Sequence, residues 1–216
     1  AWSISVEFAF YLVFPFLAVF TRERGPAYLF QAIALLFVIK LAAYFATDNS
    51  KHMLYSTLVG RFDQFLVGML AAIAYDRLKP ALERHGKPLL AGALVLIFLG
   101  AAFQARWLSY FSAEPKQPLG VIWGTVEAVL WAGVVVSYLA ARLPWPAWFS
   151  RMLGKGGEWS FSFYMWHAMI IYVAHVLLGP IGGIGYPALA FTGLLVLVAT
   201  FIFARLSYGI IERPFL

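Results

Sequence analysis

The sequence has no cysteine and very little charge: Lys, Arg, Asp and Glu together make up 12% of its 216 residues. Without cysteine there is no disulfide, no thiolate metal site and no cysteine nucleophile. The scarcity of charge excludes more. A soluble domain carries about 25% charged residues and about 45–50% apolar ones. Here 62% are hydrophobic and 18% aromatic, with a mean hydropathy of +0.81. So few charges cannot cover a water-facing surface. Alternating segments of about ten residues are missing too, which excludes a membrane β-barrel. There is no basic region followed by a small-residue cleavage site, so the opening from Ala1 does not read as a signal peptide. Internal repeats, low-complexity runs and long linkers are equally absent. The expected organisation is one membrane-embedded domain over residues 1–216.

What is present is a series of seven apolar segments, each bounded by charges, Pro or Gly. They run over Trp2–Phe20, Tyr28–Ala46, Tyr55–Tyr75, Pro88–Ala105, Leu119–Ala140, Trp159–Gly179 and Tyr186–Ile211. Each is long enough to cross a bilayer, which takes roughly 20 residues. A backbone in lipid must satisfy its own hydrogen bonds, so the fold class is an all-α, polytopic transmembrane helix bundle. The loops Tyr110–Pro118 and Arg142–Glu158 carry the Pro and Gly turn signals.

The net charge is +6, but the basic residues are spread through short loops, as the membrane's own charge rule requires and nucleic-acid binding does not. Counted along the chain, the odd-numbered loops and the C-terminus hold ten Lys and Arg, against three in the even-numbered loops. That asymmetry predicts a cytoplasmic C-terminus and an outer Ala1. If the intact N-terminus is cytoplasmic, an odd number of helices then precedes Ala1.

Ionisable groups inside hydrocarbon are costly, so each is a functional candidate. Ser3, Glu7 and Tyr11 recur at i, i+4 and i+8 on one helical face. Arg61 and Gln64 share a second face, whereas Asp63 points elsewhere, towards a cap or water. Glu127 has Trp123 and Trp131 four residues to either side, aromatic faces suited to a cation or a sugar ring. Lys40 sits near the outer end of its helix and reads as a snorkelling side chain. Ser160, Tyr164, His167 and His175 fall on one broad side of the sixth segment. The two histidines stand about 12 Å apart along the axis, too far to share a metal ion. Against each functional reading stands a plain one, namely side chains that pair or hydrogen-bond to pack helices. By depth, Glu7, Arg61, Glu127 and His175 all fall in the outer third of the bilayer. The expectation is a polar pocket opening outward, with His167 at its floor.

Four stretches carry a resemblance. The run from Trp2 through Glu7 and Tyr11 to Pro15 (WSISVEFAFYLVFP) resembles the WSLSVEEQFYL…P signature of the acyltransferase-3 family of integral-membrane acyltransferases. Residues Arg61–Ala71 (RFDQFLVGMLA) are similar to that family's arginine-bearing helix, and Trp159–His167 (WSFSFYMWH) to its G-x-x-S-Y-S-l-Y-L-x-H helix. Ile211–Phe215 is similar to its terminal E-R-P-f element. Phe8, Ala9 and Phe161 depart from the usual Glu, Gln and Tyr.

The resemblance implies transfer of an acyl group, often acetyl from acyl-CoA, onto a hydroxyl of a carbohydrate or lipid-linked acceptor, at the plasma membrane of a bacterium. No bound cofactor is implied; the acyl-CoA is a co-substrate. The family fold has more membrane helices than the seven marked here, and its proposed catalytic histidine lies upstream of anything in this chain. The residues that carry over are Trp2, Ser3, Glu7, Tyr11, Arg61, Tyr164 and His167. Glu7 and His167 are the catalytic candidates; Trp2, Ser3, Tyr11, Arg61, Glu127, Tyr164 and His175 are the substrate-binding candidates. The competing reading is a transporter or flippase for a lipid-linked or sugar-like solute, in which the same charges bind the moving solute. Broken helices and repeats would mark it.

Overall fold

The computed structural model describes residues 2–48, 50–108, 116–178 and 186–215, and the side chains of Trp2, Ser3, Ser50, Lys51, Leu177, Leu178, 186–189 and Phe215 fall outside the description. Among the described residues every regular element is helical. The chain forms two compact units, Ala1–Leu143 and Pro144–Leu216. Among the described residues six helices are long and apolar enough to cross a membrane. The sixth apolar segment of the sequence is also one helix, Ser160–Leu178, of 19 residues.

In the first unit, α1 (Trp2–Arg24) ends on Arg22 and Arg24, cations at the negative end of the helix dipole. Gly25 follows at φ 79°, the left-handed conformation that glycine adopts without steric cost, and its N–H bonds the Thr21 carbonyl at 2.9 Å. Pro26 then opens α2 (Ala27–Ala46). A short α3 (Ser50–Ser56) leads to Thr57, whose hydroxyl accepts from the Gly60 N–H and caps α4 (Leu58–Arg84). The third apolar segment stops at Tyr75, yet α4 runs on through Pro80 to Arg84. The added turns are polar and exposed, so they extend the helix beyond the apolar stretch.

His85 joins α4 to α5 (Gly86–Trp107), and α6 (Gly120–Ala141) completes the unit. Gly86 lies so close to the Ala140 backbone that no Cβ fits between them. Small residues at such crossings let membrane helices approach closely. The core joins α1, α2 and α4 through Phe10, Leu17, Leu29 and Leu66, with Phe10 stacked on Phe65 at 4.2 Å. Most large apolar side chains elsewhere are exposed, among them Phe16, Phe45 and Phe98, as lipid-facing positions require.

The second unit holds α7 (Ala147–Glu158), α8 (Ser160–Leu178) and α9 (Tyr186–Ser207). A π-helical turn at Tyr208–Glu212 and a 3-10 turn at Arg213–Phe215 follow. Trp159, between α7 and α8, and Phe163 of α8 pack edge-on against Phe201 of α9, and Trp166 packs on Phe203. The stretch read from its glycines and prolines as a turn-rich loop, Arg142–Glu158, is instead largely the helix α7. Trp148, Phe149, Met152 and Leu153 recur there at helical spacing, and that periodicity outweighs three scattered glycines.

Candidate functional site

Asp63 and Lys40 overturn two sequence readings. Asp63 neither caps nor meets water, and Lys40 does not snorkel; each is 1% exposed. The Lys40 ammonium lies 2.8 Å from one Asp63 carboxylate oxygen, and Thr125 donates its hydroxyl to the other. One turn from Lys40, the Phe37 ring lies 5.8 Å from the ammonium. A charge alone in this interior would cost several kcal/mol (about 3–5 when a partner is removed), so each residue requires the other. Beside them, Gln64 donates its amide to the Gly124 carbonyl at 2.9 Å. Successive residues of α4 thus hold successive residues of α6. The two helices are fixed side by side, with α2 locked behind them.

That lock leaves the opposite face of α4 open. Arg61, Gln64, Gly68, Ala71, Ala72 and Tyr75 form a stripe along it, facing Glu127, Ala128, Trp131 and Ala132 of α6 across a cleft of about 560 Å3. The small residues make the cleft: a Cβ on Gly68 meets nothing within 4 Å. Arg61 stands at the end of the cleft nearest the start of α4. Its Nε donates to the Tyr55 carbonyl at 2.8 Å, and its guanidinium lies 4.5 Å from the Tyr55 ring centre. Arg61 is therefore held by α3 and points along a defined direction.

Of the sequence candidates, Arg61 and Glu127 are brought to this one cleft. The pair of indoles around Glu127 is not. Trp131 lines the cleft, but Trp123 is buried against Phe103 of α5, ring centres 5.1 Å apart. Eight residues advance a helix by two turns plus roughly 80°, enough to turn one indole away. Glu7 is half-buried on α1, one turn before Phe10, which packs on Phe62 and Phe65 of α4. Tyr11 is 63% exposed. The side chains of Trp2 and Ser3 lie outside the described residues.

Tyr164, His167 and His175 belong to the second unit. His167 Nδ1 contacts the Tyr164 carbonyl, and the two rings are 5.1 Å apart. A carbonyl only accepts, so a hydrogen bond here places a proton on Nδ1. His175 is exposed, two turns further on. The pairing that sequence reasoning missed here is Ser162, 1% exposed, which donates to the Glu212 carboxylate. It ties the serine of one family-like motif to the glutamate of another, 50 residues away. The π-helical turn that carries Glu212 is the kind of local irregularity often found at functional positions. Only their both lying in family-like motifs hinted at the link. Among the described residues no group of three or more His, Asp and Glu is placed to hold a metal ion.

The fold and cleft define a polytopic helical membrane protein with a mostly apolar groove, edged by a few charged side chains, between two locked helices. The acyltransferase-3 family model, described as an acyltransferase domain, matches residues 1–206, and the chain belongs to that family. It is 30% identical to nodulation protein 10 of Rhizobium leguminosarum bv. viciae, over 99% of this chain and 53% of that protein. It is 28% identical to the peptidoglycan O-acetyltransferase OatA of Listeria monocytogenes, over 99% of this chain and 34% of that protein. A third relative, at 26% identity with 99% and 34% coverage, is the putative peptidoglycan O-acetyltransferase YrhL of Bacillus subtilis. The chain thus spans about half the length of the first relative and about a third of the other two. No solved structure matches.

Proposed function

We propose that this chain is the membrane part of an O-acyltransferase that moves an acyl group, acetyl foremost, from acyl-CoA to a hydroxyl of a carbohydrate or lipid-linked glycan. The observation that carries the reading is the cleft itself. A cation, an amide, two carboxylates (Asp76 and Glu127) and an indole face line one cleft in a chain of an acyltransferase family. Indole faces stack on sugar rings, and carboxylate and amide groups bond their hydroxyls, so Trp131, Glu127 and Gln64 suit a glycan. Two of the relatives are named as acting on peptidoglycan, which supports a glycan acceptor here.

In the reaction the acceptor oxygen attacks the thioester carbonyl carbon and its proton passes to a base. The carbon–sulfur bond breaks, and coenzyme A leaves as the thiolate. Glu7 and His167 Nε2 are the candidates in this chain for holding or relaying that proton. Arg61, with a permanent charge and a fixed direction, serves the developing oxyanion or a donor phosphate. The C-terminus is cytoplasmic, in the plasma membrane of a bacterium, and the Arg61 end of the cleft opens outward.

The test reconstitutes the full-length protein in lipid vesicles with acetyl-labelled acetyl-CoA on one side and a glycan acceptor on the other. Alkali-labile label appears on the acceptor. Arg61→Ala and Glu127→Gln each reduce transfer about 100-fold, the scale of losing one transition-state contact, with unchanged melting. Movement of unmodified acceptor without labelling sinks the proposal in favour of transport.

A further inference from the structure

In the second unit, α7 has an apolar face that no described residue of that unit covers. In α7 no residue is buried. Trp148 is 63% exposed, Met152 54% and Leu153 48%, and Trp145, just ahead of the helix, is 45% exposed. These residues fall on one side together with Phe149, whose ring packs against both tryptophans at 4.8 and 5.6 Å. Arg151 and Lys155 stand one turn apart on the flank of that face, Arg151 bonding back to the Ala147 carbonyl.

The position of α7 in the chain restricts what can cover this face. It is joined to the apolar helix α8 by a single residue, Trp159, and preceded by Pro144 and Pro146. Pro146 holds an extended conformation at the helix start, so the chain changes direction there. Twelve residues make a rod of about 18 Å, too short to cross hydrocarbon, which takes roughly 20 residues. A short helix with aromatic and aliphatic residues on one face and cations on its flank is the form that lies along a membrane surface.

We infer that α7 is a membrane-surface anchor. Its Trp145–Leu153 face is sunk in the boundary between headgroups and acyl chains, and Arg151 and Lys155 bind anionic lipid headgroups. The occupant is lipid, because two cations against the single acid Glu158 leave the flank net basic, which matches the anionic leaflet surface. The inference is independent of the acyl-transfer reading and holds whichever substrate the protein takes.

The absence of cysteine allows a direct test. Single Met152→Cys, Leu153→Cys and Glu158→Cys variants of the full chain are spin-labelled in vesicles of phosphatidylcholine with or without phosphatidylglycerol. Collisions with oxygen report lipid and collisions with a nickel chelate report water. Labels at positions 152 and 153 are expected to favour oxygen, at a depth of about 5–10 Å, and the label at 158 to favour nickel. Phosphatidylglycerol deepens the first two, and Arg151→Gln with Lys155→Gln removes that dependence. Three outcomes overturn the inference: nickel access at all three positions, protection from both reagents in detergent as well as lipid (a protein partner or second copy), or depth indifferent to lipid charge.

Discussion

The two faces of α4 do opposite things. On one face Asp63, Leu66 and Val67 are buried, and the single carboxylate there is bound by a lysine and a threonine from two other helices. On the other, Arg61, Gly68, Ala71, Ala72 and Tyr75 line open space. Asp63 and Arg61 are two residues apart, carry opposite charge and sit at similar depth. One is spent on holding the bundle together; the other stands at the mouth of a cleft. An ionisable residue in a membrane helix is therefore not a functional signal by itself. What separates the two roles is whether neighbouring helices already satisfy the charge.

The largest effect should come from breaking the closed face. Asp63→Ala strands the Lys40 ammonium in an apolar interior and is expected to cost about 3–5 kcal/mol, read as loss of thermal stability in detergent. Lys40→Met combined with Asp63→Leu should recover most of it, since an apolar pair of similar volume removes the unpaired charge. Equal loss in the single and double variants would show that shape, not charge, matters at this position.

Ser162→Ala makes the same kind of break in the second unit and is expected to be smaller. It leaves the Glu212 carboxylate short of one donor, at about 1–3 kcal/mol. Glu212 is half-buried rather than buried, so water is at hand to replace the hydroxyl. A loss as large as that of Asp63→Ala would mean that the terminal π-helical turn depends wholly on this bond.

The smallest stability change belongs to the open face. Gly68→Leu adds a side chain where nothing stands within 4 Å and replaces a poor helix former. The expected change is a gain of up to about 1 kcal/mol. Gly86→Ala offers the contrast: its Cβ meets the Ala140 backbone, so melting should fall although the added volume is far less.

The helices themselves were legible in the sequence, because long apolar runs with polar ends leave few alternatives in lipid. Arg61 and Glu127 were legible as candidates for the same reason. What was not legible is pairing at a distance. Lys40 and Asp63 are 23 residues apart on different helices, and no spacing within either helix shows that they meet. The helical net places Asp63 away from Arg61 correctly, but it does not say that another helix waits there. Trp123 was misread because its partner, Phe103, lies on α5. Glycine and proline masked α7, since both the prolines before it and the glycines within it are ordinary loop residues.

The central claim is that the open face of α4 is the working face. Acyl transfer by the reconstituted full-length protein carrying Gly68→Leu tests it most directly, measured beside the melting temperature of the same sample. The account predicts an equal or higher melting temperature together with a loss of transfer of at least about 10-fold, because the leucine fills the cleft without touching the lock. Full transfer with the cleft filled would contradict it.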